Sequence, residues 1–115
     1  MLKSAIVNLA EHFKAQPSDR PALIVQQRTT TYGDLADRVN RWRGGLRASG
    51  LEPGDRVAIL AGNNEVFVIA YLAALTAGLV AVPLNPHAPA PAVRRELAEI
   101  EPKAVIVGEV GWQVW

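Results

Sequence analysis

The chain has 115 residues, half of them apolar and 20% charged, with 12 basic against 11 acidic side chains. That is material for one modest globular domain and not for a disordered tail, and a net charge of +1 gives no electrostatic reason to expect nucleic acid or anionic lipid as a partner. Without cysteine there is no disulfide framework and no thiolate zinc site, and His12 and His87 alone do not make a histidine-rich metal site.

The first residues, Met1-Leu2-Lys3-Ser4, lack the apolar run and small-residue cleavage site of a signal peptide, so a cytoplasmic protein is expected. Ile6, Leu9 and Phe13 then recur at helical spacing and predict an amphipathic helix over Ser4–Gln16, ended by Pro17-Ser18-Asp19. His12 lies beside that stripe and reads as a surface residue. Ala22–Val25 reads as a strand, and Gln27-Arg28 turns it into a second one, Thr29–Tyr32, rich in β-branched residues.

A better marked helix follows. Thr31 stands three residues before Asp34, close to a capping box, and Leu35, Val39, Trp42 and Leu46 share one face. Gly50 is placed to end the helix in the left-handed conformation, with Leu51 folding back onto the last turn. Gly44-Gly45 inside the helix points to close approach by a neighbouring backbone or to a local kink. Arg38, Arg41, Arg43 and Arg47 divide between the two flanks of the apolar stripe. With Asp34 and Asp37 four residues before Arg38 and Arg41, they read as a solvated, salt-bridged face and not a nucleic-acid patch.

Glu52-Pro53-Gly54-Asp55 suits a type II turn. Arg56–Ala61 is a strand whose apolar centre, Val57-Ala58-Ile59-Leu60, fits a parallel strand covered on both faces. Asn63 or Asn64 caps the helix Glu65–Ala77, apolar nearly all round, and Gly78 ends it. Leu79–Leu84 is another strand and Asn85–Pro89 a loop. Pro91 sits in the first turn of a helix with Val93, Leu97 and Ile100 on its stripe. Pro102 stops that helix and Lys103–Val107 is the last strand.

From Arg56 onward the order is strand, helix, strand, helix, strand, which implies right-handed crossovers and a parallel sheet. Val57, Ile59, Phe67, Tyr71, Leu75, Val82, Leu97 and Val105 are expected to form one contiguous core. The nineteen uncharged residues from Val66 to Leu84 reach the length of a membrane span. Gly78, the strand-like residues after it and the missing basic flanks favour a buried helix joined to a buried strand, hence no membrane span.

There is no phosphate loop of the Gly-x-x-x-x-Gly-Lys kind, no dinucleotide fingerprint and no serine in a nucleophile elbow. Gly62-Asn63-Asn64 is read as a plain helix cap, with anion binding at the helix N-terminus as the alternative. His87 falls beyond the C-terminal end of a parallel strand, where α/β sheets place ligands, although an ordinary loop histidine would sit there too.

Four segments together, Thr31-Tyr32-Gly33-Asp34-Leu35, Gly50–Leu60, Tyr71–Gly78 and Val82-Pro83-Leu84-Asn85-Pro86, resemble the start of an acyl-adenylate-forming enzyme. That superfamily includes acyl-CoA synthetases, adenylation domains of peptide synthetases and luciferases. Asn63 and Pro83-Leu84-Asn85-Pro86 are most similar to acyl-CoA synthetases. Gly44-Gly45, where alanines are usual, and Val66, where an acidic residue is common, depart from the pattern.

The resemblance implies an α/β fold: an N-terminal helix and β-hairpin followed by a βαβαβ parallel-sheet unit, an incomplete part of a larger adenylate-forming N-terminal domain. Residues 1–115 then form an N-terminal fragment: helix, hairpin and helix over 1–55, the βαβαβ unit over 56–107, a tail over 108–115. For the parent it implies activation of a carboxylic acid, expected to be fatty, with ATP and Mg²⁺ to acyl-AMP, then transfer to coenzyme A. The phosphate loop, metal residues and catalytic lysine of the family have no counterpart here. No catalytic or metal residue is assigned, and the chain alone is expected to be inactive. Asn85, Pro86 and His87 are the candidate contacts, through a loop that approaches the CoA nucleotide in some relatives. Expected partners are the rest of the ligase chain or a second copy at an uncovered sheet edge. The alternative is a stand-alone interaction module without catalysis.

Overall fold

The computed structural model describes residues 15–113 except 26 and 63, together with 115. The predicted first helix thus lies outside the described residues, save Ala15 and Gln16, which are in a turn and a bend.

Strands β1 (Pro21–Val25) and β2 (Arg28–Thr31) form an antiparallel hairpin with Leu23 opposite Thr30 and Val25 opposite Arg28, and a bulge between Pro21 and Leu23. Gln27, at φ 68°, makes the reversal. The second strand stops at Thr31, one residue earlier than its composition suggests. Thr31 is already the cap of helix α1 (Tyr32–Ala48), its Oγ1 accepting from the Asp34 N–H at 3.2 Å.

After α1 come β3 (Arg56–Leu60), α2 (Glu65–Thr76), β4 (Val80–Pro83), α3 (Ala90–Ile100) and β5 (Ala104–Val107), then a short 3₁₀ turn at Gly111–Gln113. Helices α1 and α2 end alike. Gly50 and Gly78 take φ of 91° and 77°. The next N–H, of Leu51 or Leu79, reaches back to the carbonyl of Leu46 or Ala74, which closes a Schellman motif. Gly54, at φ 91°, supplies the left-handed position of the turn closed by the Asp55 N–H on the Glu52 carbonyl, 3.0 Å. The Gly54 N–H then bonds Gly78 O at 2.9 Å, fastening this turn to the end of α2.

Helix α3 ends on Glu101, a non-glycine residue at φ 50°, just before Pro102. The uncharged run from Val66 to Leu84 becomes α2, the glycine turn and β4. Among the described residues no helix is long and apolar enough to cross a membrane.

The parallel sheet has the order β4-β3-β5, with Arg56 opposite Val80 and Val57 opposite Ala104. Consecutive strands therefore flank β3, and α2 and α3 lie on opposite faces. This overturns the expectation of one contiguous core. Side chains alternate across a strand, so the sheet partitions the expected residues. Val57 packs with Leu51, Ala74 and Leu79 on the α2 face, and Ile59 joins Ala70, Phe67 and Tyr71 there. Ala58 and Leu60 face the other way, with Val82, Val105, Val93 and Leu97. A third cluster, Leu35, Val39, Ile69 and Ala73, seals α1 onto the outer side of α2.

Gly44 and Gly45 bring no neighbour close. A Cβ at either position would meet nothing within 4 Å, and both residues are exposed. The close-approach reading of this pair is therefore wrong. Close approach occurs at Gly108 and Gly111 instead, where an added Cβ would lie 2.9 Å from the Ala61 Cβ and 1.8 Å from the Leu60 carbonyl oxygen.

Candidate functional site

A cleft of about 380 Å³ opens at the C-terminal ends of β3 and β4. It is lined by Gly62, Phe67, Pro83, Leu84 and the loop Asn85-Pro86-His87. The sequence builds it in three steps. Strand β3 must reverse into α2, and Gly62 does so at φ 78°. Asn64 then fixes the helix start: its Oδ1 accepts the Phe67 N–H at 3.0 Å and its Nδ2 donates to the Ala61 carbonyl at 2.5 Å. Phe67 is thereby set on the first turn of α2 facing the cleft, stacked on Tyr71 with ring centroids 5.7 Å apart.

The opposite wall is the 85–87 loop. Leu84 anchors it through its N–H to Ile59 O, 2.8 Å. The Asn85 side chain folds back to accept the His87 N–H at 2.9 Å, and the Asn85 carbonyl accepts the Ala88 N–H at 3.2 Å. Pro86 is buried, its Cγ 3.5 Å from where a Gly62 Cβ would stand, while Asn85 and His87 are exposed. The structure thus brings Asn85, Pro86 and His87 to one wall of one cleft. Sequence reasoning placed Gly62 in a helix-cap segment and Phe67 in the core, and missed that together they form the facing wall. Their signal was a glycine at the strand end and an aromatic on the helix's first turn. Of the other candidates, His12 and Asn63 lie outside the described residues, and Asn64 takes the capping role.

The chemistry of this lining is limited. It contains no carboxylate and no lysine, and among the described residues no cluster of His, Asp and Glu is placed to hold a metal ion. The Phe67 N–H at the start of α2 is already taken by Asn64. The residues present therefore do not fit a triphosphate with its metal, which needs several converging donors and a cation. They can offer an aromatic face, a proline edge and the polar tips of Asn85 and His87.

Sequence reasoning also missed a charged junction on the other side of α2's first turn. The Glu65 carboxylate accepts Arg28 Nη2 at 2.6 Å, the Thr30 hydroxyl at 3.2 Å, and Arg38 Nη1. It ties the hairpin, α1 and α2 at one point. Arg38 spends its guanidinium here and not on Asp34, so that expected helix-surface pair does not form. The Glu65 side chain is only 14% exposed. Burial raises its pKa, but the hydrogen bonds from Arg28 and Thr30 and the charges of Arg38 and Arg28 outweigh that, holding it below the ordinary 4.5.

Comparison with known proteins accords with this framework. The profile of the family described as "AMP-binding enzyme" matches residues 9–114. A feruloyl-CoA synthase from Amycolatopsis is 44% identical over 69 residues, which is 60% of this chain and 14% of that protein. The fatty acid–[acyl-carrier-protein] ligase ScoC of Streptomyces coeruleorubidus is 34% identical over 98 residues, 85% of this chain and 19% of that one. A benzoate CoA ligase from Burkholderia xenovorans LB400 superposes with a TM-score of 0.85 at 27% identity, covering 95% of this chain and 23% of that structure. The chain therefore spans under a quarter of the length of each of these proteins.

Proposed function

The chain belongs to the AMP-binding enzyme family, and from that premise we propose that it is the N-terminal scaffold of an ATP-dependent acid–CoA ligase. In the whole protein a carboxylic acid is activated to an acyl-adenylate and passed to coenzyme A. The observation that carries this reading is the near-complete superposition on a benzoate CoA ligase, 95% of this chain against 23% of the other. The acid is fatty or aromatic, the two classes carried by the names of the relatives above. The protein works in the cytoplasm, where ATP and coenzyme A are at hand.

The role of these residues is positioning. β3, α2 and β4 set the Gly62–Phe67 and Asn85–His87 walls at fixed separation. The exposed tips of Asn85 and His87 contact the coenzyme A nucleotide from the rim of the cleft. ATP, Mg²⁺ and the acyl group are held by other parts of the ligase, which supply the phosphoryl and acyl chemistry.

The test is pyrophosphate release with ATP, Mg²⁺ and a panel of fatty and aromatic acids. The 115-residue chain is expected to show no turnover above background. The same chain extended to the length of the relatives is expected to be active. Turnover by the 115-residue chain would place a phosphate site within it and overturn the scaffold reading.

A further inference from the structure

Helix α2 lies on the sheet through small side chains. Ala70 packs with Ile59 and Ala61, and Ala74 packs with Val57. Such a surface has little relief to interdigitate, so packing against the sheet fixes the helix only weakly along its own axis. Polar groups fix its two ends. At the C-terminal end the Gly54 N–H holds the Gly78 carbonyl at 2.9 Å. At the N-terminal end, both ion pairs found among the described residues finish on one carboxylate, Glu65, and come from two other elements: Arg28 of β2 and Arg38 of α1.

Glu65 and Phe67 stand two residues apart, roughly 200° around the helix axis, and so project from opposite sides of the same turn. One faces the hairpin and α1; the other faces the cleft. The turn between them is rigid. Asn64 Oδ1 takes the Phe67 N–H at 3.0 Å and the Asn64 carbonyl takes the Val68 N–H at 3.3 Å, so a displacement at Glu65 carries Phe67 with it. The opposite wall is held independently, by the Leu84 N–H on Ile59 O and by the Asn85 side chain on the His87 N–H. A shift of α2's first turn therefore changes the separation of the two walls.

We propose that Glu65 is a positioning residue for the cleft: by fastening the first turn of α2 to Arg28 and Arg38, it sets the distance from Phe67 to the Asn85–His87 wall, and through that distance the fit of the coenzyme A nucleotide. The nucleotide's place in the cleft rests on the ligase reading above; the fastening of Phe67 does not.

The chain has two phenylalanines, Phe13 and Phe67, so labelling with fluorophenylalanine gives two fluorine NMR resonances, and Phe13→Leu identifies that of Phe67. Glu65→Gln should move the Phe67 resonance. Arg28→Met, at a side chain 72% exposed, should move it in the same direction but less, and serves as the milder variant where Glu65→Gln unfolds the chain. Val93→Ala is the control: it opens a cavity on the far face of the sheet, away from Glu65, and should leave the resonance in place. Circular dichroism checks each fold. In the ligase extended to the length of its relatives, Glu65→Gln should raise KM for coenzyme A about tenfold with kcat changed far less, and Val93→Ala should leave KM within about twofold. A Phe67 resonance indifferent to both Glu65→Gln and Arg28→Met, or moved as far by Val93→Ala, would overturn the proposal. So would a moved resonance with an unchanged KM for coenzyme A. A ligase that passes its acyl group to no coenzyme A would sink the ligase reading, while the resonance would still decide whether Glu65 positions Phe67.

Discussion

The hairpin and the central strand of the parallel sheet are built on different principles. Residues 57–61 are fully buried, apolar on both faces and enclosed by helices on either side. Among the described residues, the hairpin leaves Ile24 70% exposed and packs Ala22 and Leu23 against the α1–α2 pair. Its second strand is fastened mainly by polar groups, Arg28 and Thr30 on Glu65. One region is held by apolar area removed from water, about 25 cal/mol per Å² and insensitive to pH. The other is held by a carboxylate and its donors, which respond to both pH and salt.

The sharpest way to break that contrast is to truncate an isoleucine in each region. Ile59→Ala opens a cavity where no solvent reaches, and the expected loss is about 2–5 kcal/mol by urea denaturation. Ile24→Ala at the exposed hairpin position should change stability by less than about 0.5 kcal/mol. Equal losses at the two sites would contradict the division.

Glu65→Gln comes next, with an expected cost of about 1–2 kcal/mol at pH 7, because two guanidinium groups lose their charged acceptor. Its pH dependence carries the sign. The folded-state pKa lies below 4.5, so the stabilisation is complete above that value and is lost as pH falls below it through the lowered folded value. Wild type should therefore lose stability over that acid range faster than Glu65→Gln. Parallel curves would mean that the carboxylate holds nothing.

The smallest effects separate two kinds of glycine. Gly78→Ala forces a side chain into φ 77° with Pro53 3.3 Å away, and should cost roughly 1 kcal/mol. Gly44→Ala, in an open helical position, should gain up to about 1 kcal/mol in thermal or chemical melts.

Much of the fold was legible in the sequence. Gly50, Gly78 and the Pro53-Gly54 pair each follow or form a chain reversal that a Cβ would strain, so they mark element ends locally. Val57–Leu60 announces a doubly covered strand by its unbroken apolar run. Only non-local information was hidden. The division of the core follows from strand order and from which face each helix takes, and composition carries neither. Asp34 and Arg38 stand at favourable helical spacing, yet Arg38 is drawn to Glu65, 27 residues along the chain, where one carboxylate also meets Arg28 and Thr30. Of the cleft, the 85–87 wall was visible as a loop beyond a parallel strand. The Gly62–Phe67 wall emerged only once β3 and α2 were set against it.

Calorimetric titration with ATP and Mg²⁺ decides whether this chain supplies framework alone or nucleotide chemistry as well. A lysine-free cleft whose helix start is already capped by Asn64 should give no saturable heat at any ATP concentration short of non-specific binding. A one-to-one isotherm that disappears when Asn85 and His87 are replaced by alanine would contradict the account.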